Sequence, residues 1–156
     1  PEPLWRVPAE HMKLARVKKG EEAFDHLVPL SPAAVAVLRE AKSISTTSNE
    51  VEKSDNGLVF TGRGANSSIG EGAIRQLYID AGFGGRHVPH GWRASFSTIL
   101  NEDMGDEWRA TIDRALAHSG MGKVEAAYNR AQQLQRRRRV FERWAGLLTR
   151  PLSETT

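Results

Sequence analysis

His90-Gly91-Trp92-Arg93, then Leu116-Ala117-His118, then Ala126-Ala127-Tyr128: the stretch from 90 to 128 decides how the rest of the chain is read. His90 and Arg93 stand three apart. At the start of a helix that spacing puts both side chains on one face. His118 precedes Tyr128 across Ser119-Gly120-Met121-Gly122, a glycine-rich link expected to end one helix and open the next. The stretch therefore offers two imidazoles, a guanidinium and a phenol, with no cysteine and no carboxylate pair. That set suits chemistry on a phosphate. A guanidinium meets phosphate oxygens with a planar fork of donors. An imidazole donates to them or moves protons. A tyrosine hydroxyl can attack phosphorus and form a covalent intermediate. Taken singly, each residue has a plainer reading: a packing tyrosine, a cation at a helix end, a surface ion pair, a cap.

Composition bounds the class. At 156 residues the chain is long enough for one domain with a real core. Hydrophobic residues make up 39% and charged residues 26%, ordinary for a globular protein. No apolar run of about 18 residues is present, so no membrane span is expected. There are no cysteines, which excludes disulfides and thiolate metal sites and agrees with a cytoplasmic setting. His11, His26 and His87 lack paired ligand spacing, so neither a metal nor a cofactor is expected. The net charge is +3, a modest pointer to an anionic partner. The charge is uneven: Arg130, Arg136, Arg137, Arg138, Arg139, Arg143 and Arg150 face Glu142 alone in the last stretch. Such a block either contacts a phosphate backbone or is a solvated helix face.

Working outward, Leu4-Trp5-Arg6-Val7 reads as a strand that continues through Ala9–Lys13, with Phe24–Leu30 as its partner. The polar link between them turns at Gly20, with Lys18 and Lys19 at the tip. Ser31 is placed to cap a helix with Pro32 at its first position. Residues 43–56 are rich in Ser, Thr and Asn and read as a surface loop, with the apolar Gly57–Phe60 run packed under it. A helix is expected over Ile69–Ala81, stopped at Gly82. Pro89 biases Val88 to an extended form, so the next helix starts near His90, with Trp92, Phe96, Ile99 and Leu100 as its apolar stripe. Asp106 is placed to cap a following helix whose core face is Trp108, Ile112, Ala115 and Leu116. A short helix over Lys123–Arg130 would hold Tyr128. Leu134, Phe141 and Leu148 recur by sevens in a last amphipathic helix, which packs either in its own core or on a neighbour. The expected architecture is mainly α with a small antiparallel β-hairpin sheet, an α+β fold. Residues 1–150 form the domain, and 151–156 a frayed tail.

Three boxes carry a resemblance. His90-Gly91-Trp92-Arg93-Ala94-Ser95 with Thr98–Glu102, Ala115-Leu116-Ala117-His118, and Ala126-Ala127-Tyr128-Asn129-Arg130-Ala131 resemble the catalytic domain of the tyrosine recombinases (phage integrase family), in the branch carried by satellite phages and genomic islands. Trp5–Lys13 resembles the strand with the family's catalytic lysine, and His26–Ser31 its return strand. The resemblance implies that Tyr128 attacks a DNA phosphate to give a 3′-phosphotyrosine. It implies that Arg93 and His118 hold the non-bridging oxygens, that Lys13 protonates the leaving 5′-oxygen, and that His90 positions the phosphate and takes the phenol proton. Lys18 and Lys19 remain rivals to Lys13, because the hairpin is longer than the family's usual form. Arg86, Lys18, Lys19, Arg130 and Arg136 are expected to touch the DNA backbone. The implied partners are double-stranded attachment sites and, for the full-length protein, a tetramer on DNA, in a bacterial or phage-encoded cytoplasmic setting. The family also uses an arginine in a helix before the hairpin. The chain starts only a few residues ahead of Trp5, so it is expected to be an N-terminally truncated and weak or inactive recombinase.

Overall fold

The computed structural model describes residues 2–12, 24–47, 58–62, 67–70, 72–117 and 130–150. Within them the chain is mainly helical with one two-stranded antiparallel sheet, as expected. The strands are β1 (Leu4–Val7) and β2 (His26–Pro29), and the helices are α1 (Pro32–Thr47), α2 (Ala73–Asp80), α3 (Gly91–Met104), α4 (Arg109–Ala115) and α5 (Arg130–Leu148). Two compact units emerge: Pro1–Ala33 with Phe96–Thr156, and Ala34–Ser95.

The first unit holds the sheet and the core. β1 and β2 pair with Leu4 opposite Pro29 and Val7 opposite His26. The strand does not continue through Ala9 as expected. Ala9–His11 is a 3₁₀ turn, because Asp25 reaches across to it. Its carboxylate accepts the Ala9 N–H at 2.8 Å and the Arg6 Nε–H at 2.5 Å. Pro8 and the Asp25 bond leave Ala9 no ladder partner. The tip of the hairpin lies outside the described residues.

Five buried side chains form the core: Phe96 and Leu100 of α3, Ile112 and Ala115 of α4, and Val140 of α5. Phe141, Trp144 and Leu147 close over them from α5, and Met104, Trp108 and Leu116 from the other side. Phe96 lies 5.7 Å from the Phe141 ring and 5.4 Å from the Trp144 ring, the latter edge-on, which is the favoured aromatic geometry. Fully burying each of the large residues stabilises by about 1.5–3 kcal/mol. The last helix thus turns Val140, Phe141, Trp144 and Leu147 into its own core, while Leu148 stays exposed. Asp106 does not cap α4. Asp106–Trp108 is a 3₁₀ turn introduced by Gly105 at φ 88°, and α4 follows with no side-chain cap. α4 also stops earlier than the glycine-rich link suggested. Ala117 takes a left-handed φ of 57°, and its N–H bonds the Arg114 carbonyl at 3.1 Å.

In the second unit α1 runs through Thr47, so Ser43–Thr47 is helix rather than loop. Serine and threonine cost a helix only a few tenths of a kcal/mol each, too little to stop one already propagating. Lys42 donates from Nζ to the Leu58 carbonyl at 3.1 Å. Thr61 and Ser68 make an isolated antiparallel bridge. Phe60 is exposed rather than packed. α2 begins at Ala73, shorter than the expected 69–81, and buries no residue fully.

Candidate active site at the start of the third helix

The end of α2 sets up the approach to His90. Gly82 has φ 80°, its N–H bonds the Ile79 carbonyl, and the Phe83 N–H bonds the Tyr78 carbonyl at 2.8 Å. This paired closure is the left-handed helix stop that glycine permits. The chain turns again at Phe83, whose carbonyl accepts the N–H groups of Arg86 and His87. A tight turn then opens α3. The N–H groups of Gly91, Trp92 and Arg93 bond the carbonyls of Val88, Pro89 and His90 at 2.8, 3.3 and 3.1 Å. These backbone donors are the ones a helix start would otherwise offer to an anion. An anion arriving here meets side chains instead: His90, which is exposed, and Arg93, which is half-buried one turn on.

A ring cluster sits behind them. The His87 imidazole stacks on Tyr78 at 5.5 Å and 14°, and the Trp92 ring lies 5.0 Å from it, tilted at 60°. The Trp92 indole Nε1–H donates to the Tyr78 hydroxyl. The Arg86 guanidinium lies over the Phe83 ring at 5.7 Å. In sequence, His87 lacks paired ligand spacing, and Tyr78 falls within the helix expected over Ile69–Ala81. The three rings come from α2, a loop and α3, and no periodicity links them.

His118, Tyr128, Lys13, Lys18 and Lys19 lie outside the described residues. Of the rest, His90 and Arg93 stand at the start of α3 and Arg86 in the loop ahead of it, all in one unit. Arg130 opens α5 in the other unit.

The arginine run turned out to be tied into the fold. Arg136 donates to the Glu107 carbonyl at 3.1 Å and lies over the Trp108 ring at 5.1 Å. Arg138 pairs through Nε with Glu2 at 2.9 Å and donates to the Leu30 carbonyl. Arg143 grips Asp103 with both arms of its fork, one at 2.5 Å. That bidentate bond holds the Asp103 carboxyl below its ordinary range and raises the Arg143 guanidinium. Arg137 is half-buried, and burial together with the Arg114 charge lowers its guanidinium. Arg136 and Arg143 remain exposed to solvent, and Arg138 is largely covered. They serve the protein's own carbonyls, carboxylates and rings.

Among the described residues, no group of three or more His, Asp or Glu side chains is arranged to hold a metal ion. None of the described helices is long and apolar enough to cross a membrane.

The pattern of the Phage integrase family matches residues 6–135. The chain is 35% identical to prophage integrase IntA of Escherichia coli K12 over 144 residues, covering 92% of this chain and 31% of that protein. It is 37% identical to prophage integrase IntS of the same organism over 136 residues, 86% of this chain and 32% of that protein. It is 36% identical to the integrase of Shigella phage Sf6 over 136 residues, with the same coverage. No solved structure matches. The chain spans about a third of the length of these curated relatives. A pattern matched from the first strand into the last helix, with relatives of this identity across nearly the whole chain, places the chain in the phage integrase family, among the tyrosine recombinases.

Proposed function

We propose that the chain is the strand-cleaving and strand-joining part of a site-specific DNA recombinase that integrates and excises a mobile element. The observation that carries this reading is the family match over residues 6–135, which encloses His90, Arg93, His118 and Tyr128 in the family's order. The start of α3 supports it, because His90 and Arg93 share a first turn whose backbone donors are already used.

The chemistry is mostly positioning and charge neutralisation. The Tyr128 oxygen attacks the scissile phosphorus, in line with the leaving 5′-oxygen. The Tyr–O–P bond forms and the P–O5′ bond breaks, leaving a 3′-phosphotyrosine and a free 5′-hydroxyl. His90 takes the phenol proton, and Lys13 supplies the proton that the 5′-oxygen needs. Arg93 and His118 hold the two non-bridging oxygens as charge builds there. A free phenol titrates near pH 10, so neighbouring cations and a base are what make Tyr128 reactive at neutral pH. Attack by a second strand's 5′-hydroxyl on the phosphotyrosine reverses the steps. The bond energy is kept, and no nucleotide cofactor is needed. Arg86, Arg130, Lys18 and Lys19 contact the DNA backbone in this reading, and Arg136 contributes charge while stacked on Trp108. The complete protein acts as a tetramer on two duplexes.

The test is covalent capture. The longest natural form of the protein is incubated with a nicked attachment-site DNA in the presence of chelator. A protein–DNA band that vanishes in Tyr128→Phe is the expected result. Tight, salt-sensitive binding with no band in either protein would overturn catalysis and leave a DNA-binding module of the same fold.

A further inference from the structure

The mechanism above makes no use of the Tyr78–His87–Trp92 stack, yet the stack sits directly under the turn that carries His90 and Arg93. Three observations bear on what it does. The imidazole packs against rings from two helices, stacked on Tyr78 and tilted to Trp92, and those rings are joined by the Trp92 to Tyr78 hydrogen bond. Its Nδ1 is buried and has no hydrogen-bond partner among the described residues. A buried, unpartnered polar atom works against the fold, so the ring is held there by its faces and not by that nitrogen. Third, Gly91 leaves room for it. A β-carbon at position 91 would stand 3.1 Å from His87 Nε2 and 3.4 Å from Cε1, inside ordinary contact. Gly91 does not have a left-handed φ, so what this position requires is space and not an unusual backbone.

The first residue of α3 therefore rests flat against an imidazole that α2 and α3 hold in place. We propose that His87 is a positioning residue: packed against Tyr78, Trp92 and Gly91, it sets the first turn of α3 and so where His90 and Arg93 meet the phosphate. The inference rests on the phosphate-handling role assigned above to His90 and Arg93. Its physical basis is that catalysis by held groups is steep in distance. A displacement of about 1 Å can cost on the order of 100-fold in rate. A flat ring of similar size should do the same work without any ring nitrogen.

Two measurements test it together. In the longest natural form of the protein, cleavage of the nicked site is followed over a single turnover at increasing DNA. His87→Ala is expected to slow the rate at saturating DNA by about 10- to 100-fold while the half-saturating DNA concentration stays in place. His87→Phe, which keeps a flat ring against Tyr78 and Trp92, is expected to restore the rate. Gly91→Ala, with His87 intact, is expected to reproduce the loss by pushing the imidazole aside. In parallel, the backbone amide resonances of Gly91, Trp92 and Arg93 are recorded in the 156-residue chain. They should move in His87→Ala and return in His87→Phe. Cleavage by His87→Ala at the wild-type rate would overturn the proposal, and so would a Phe variant as slow as the Ala variant, which would point to the imidazole itself. A wild-type protein that forms no covalent product would overturn the functional reading alone. The resonances then decide the positioning claim: movement and return support it, and unmoved signals overturn it.

Discussion

Leu100 and Ile99 are neighbours in α3, and both fall in its apolar stripe by sequence, but the structure separates them. Leu100 is 0% exposed, enclosed in the cluster with Phe96, Ile112, Ala115 and Val140, while Ile99 is 42% exposed. Replacing Leu100 by Ala removes three carbons, about 2.4 kcal/mol at about 0.8 kcal/mol per buried methylene. The hole left among α3, α4 and α5 adds to that. Buried leucines cut to alanine lose about 2.7–5 kcal/mol in all, so roughly 3–4 kcal/mol is expected here. Against a typical total of about 5–15 kcal/mol this is a large share. Ile99→Ala loses only partial burial and gains helix propensity, so its cost should stay below about 1 kcal/mol. Urea unfolding followed by tryptophan fluorescence reads both, since Trp108 and Trp144 border the core and report on this unit. An unchanged denaturant slope would assign the difference to stability alone. A Leu100→Ala cost under about 1 kcal/mol, or an Ile99→Ala cost equal to it, would refute the assignment of the buried face.

Gly82 and Ala117 make an opposed pair, because both take left-handed backbone at a helix end. A side chain there costs about 1–2 kcal/mol, and the glycine alternative loses about 0.4–1 kcal/mol through the unfolded chain. Thermal melts should therefore show Gly82→Ala destabilised and Ala117→Gly stabilised, each by roughly 0.5–1 kcal/mol. For Asp103 the sign follows from a folded-state pKa lowered by its bond to Arg143 from 3.8. The pair's contribution is fully present above that value and is lost as pH falls through the lower folded one. Wild type should melt above Asp103→Asn at pH 7, and the gap should close in strong acid; a gap that persists there would contradict the pairing. Arg137, half-buried beside Arg114, has a guanidinium lowered by burial, so its charge opposes folding. Arg137→Met should stabilise the fold by on the order of 1 kcal/mol and so raise the melting temperature, and a lower melting temperature would mean that the guanidinium has a stabilising partner.

Local signals were legible wherever the physics is local. Ser31-Pro32 marked the start of α1, Gly82 the end of α2 and Pro89 the start of α3, because φ restrictions and missing donors act within a few residues. Local reading failed where a distant group intervened. Asp25 captures the Ala9 N–H from sixteen residues away and turns the strand into a 3₁₀ turn. The polar end of α1 has the composition of a loop, yet it stays helical because a helix already under way propagates through serine and threonine.

For function, the order of His90, Arg93, His118 and Tyr128 along the chain was enough to point to the family. Side-chain type and spacing along the chain are enough for that. Tertiary structure alone decided three other things. It chose Leu100 over Ile99 for the core, because burial depends on what α4 and α5 bring to that face. It gave the arginine run internal partners as far off as Glu2, where the sequence displayed only a block of charge. And it packed His87 against Tyr78, Trp92 and Gly91, because rings meet through space, and no one-dimensional pattern encodes a contact among three separate segments.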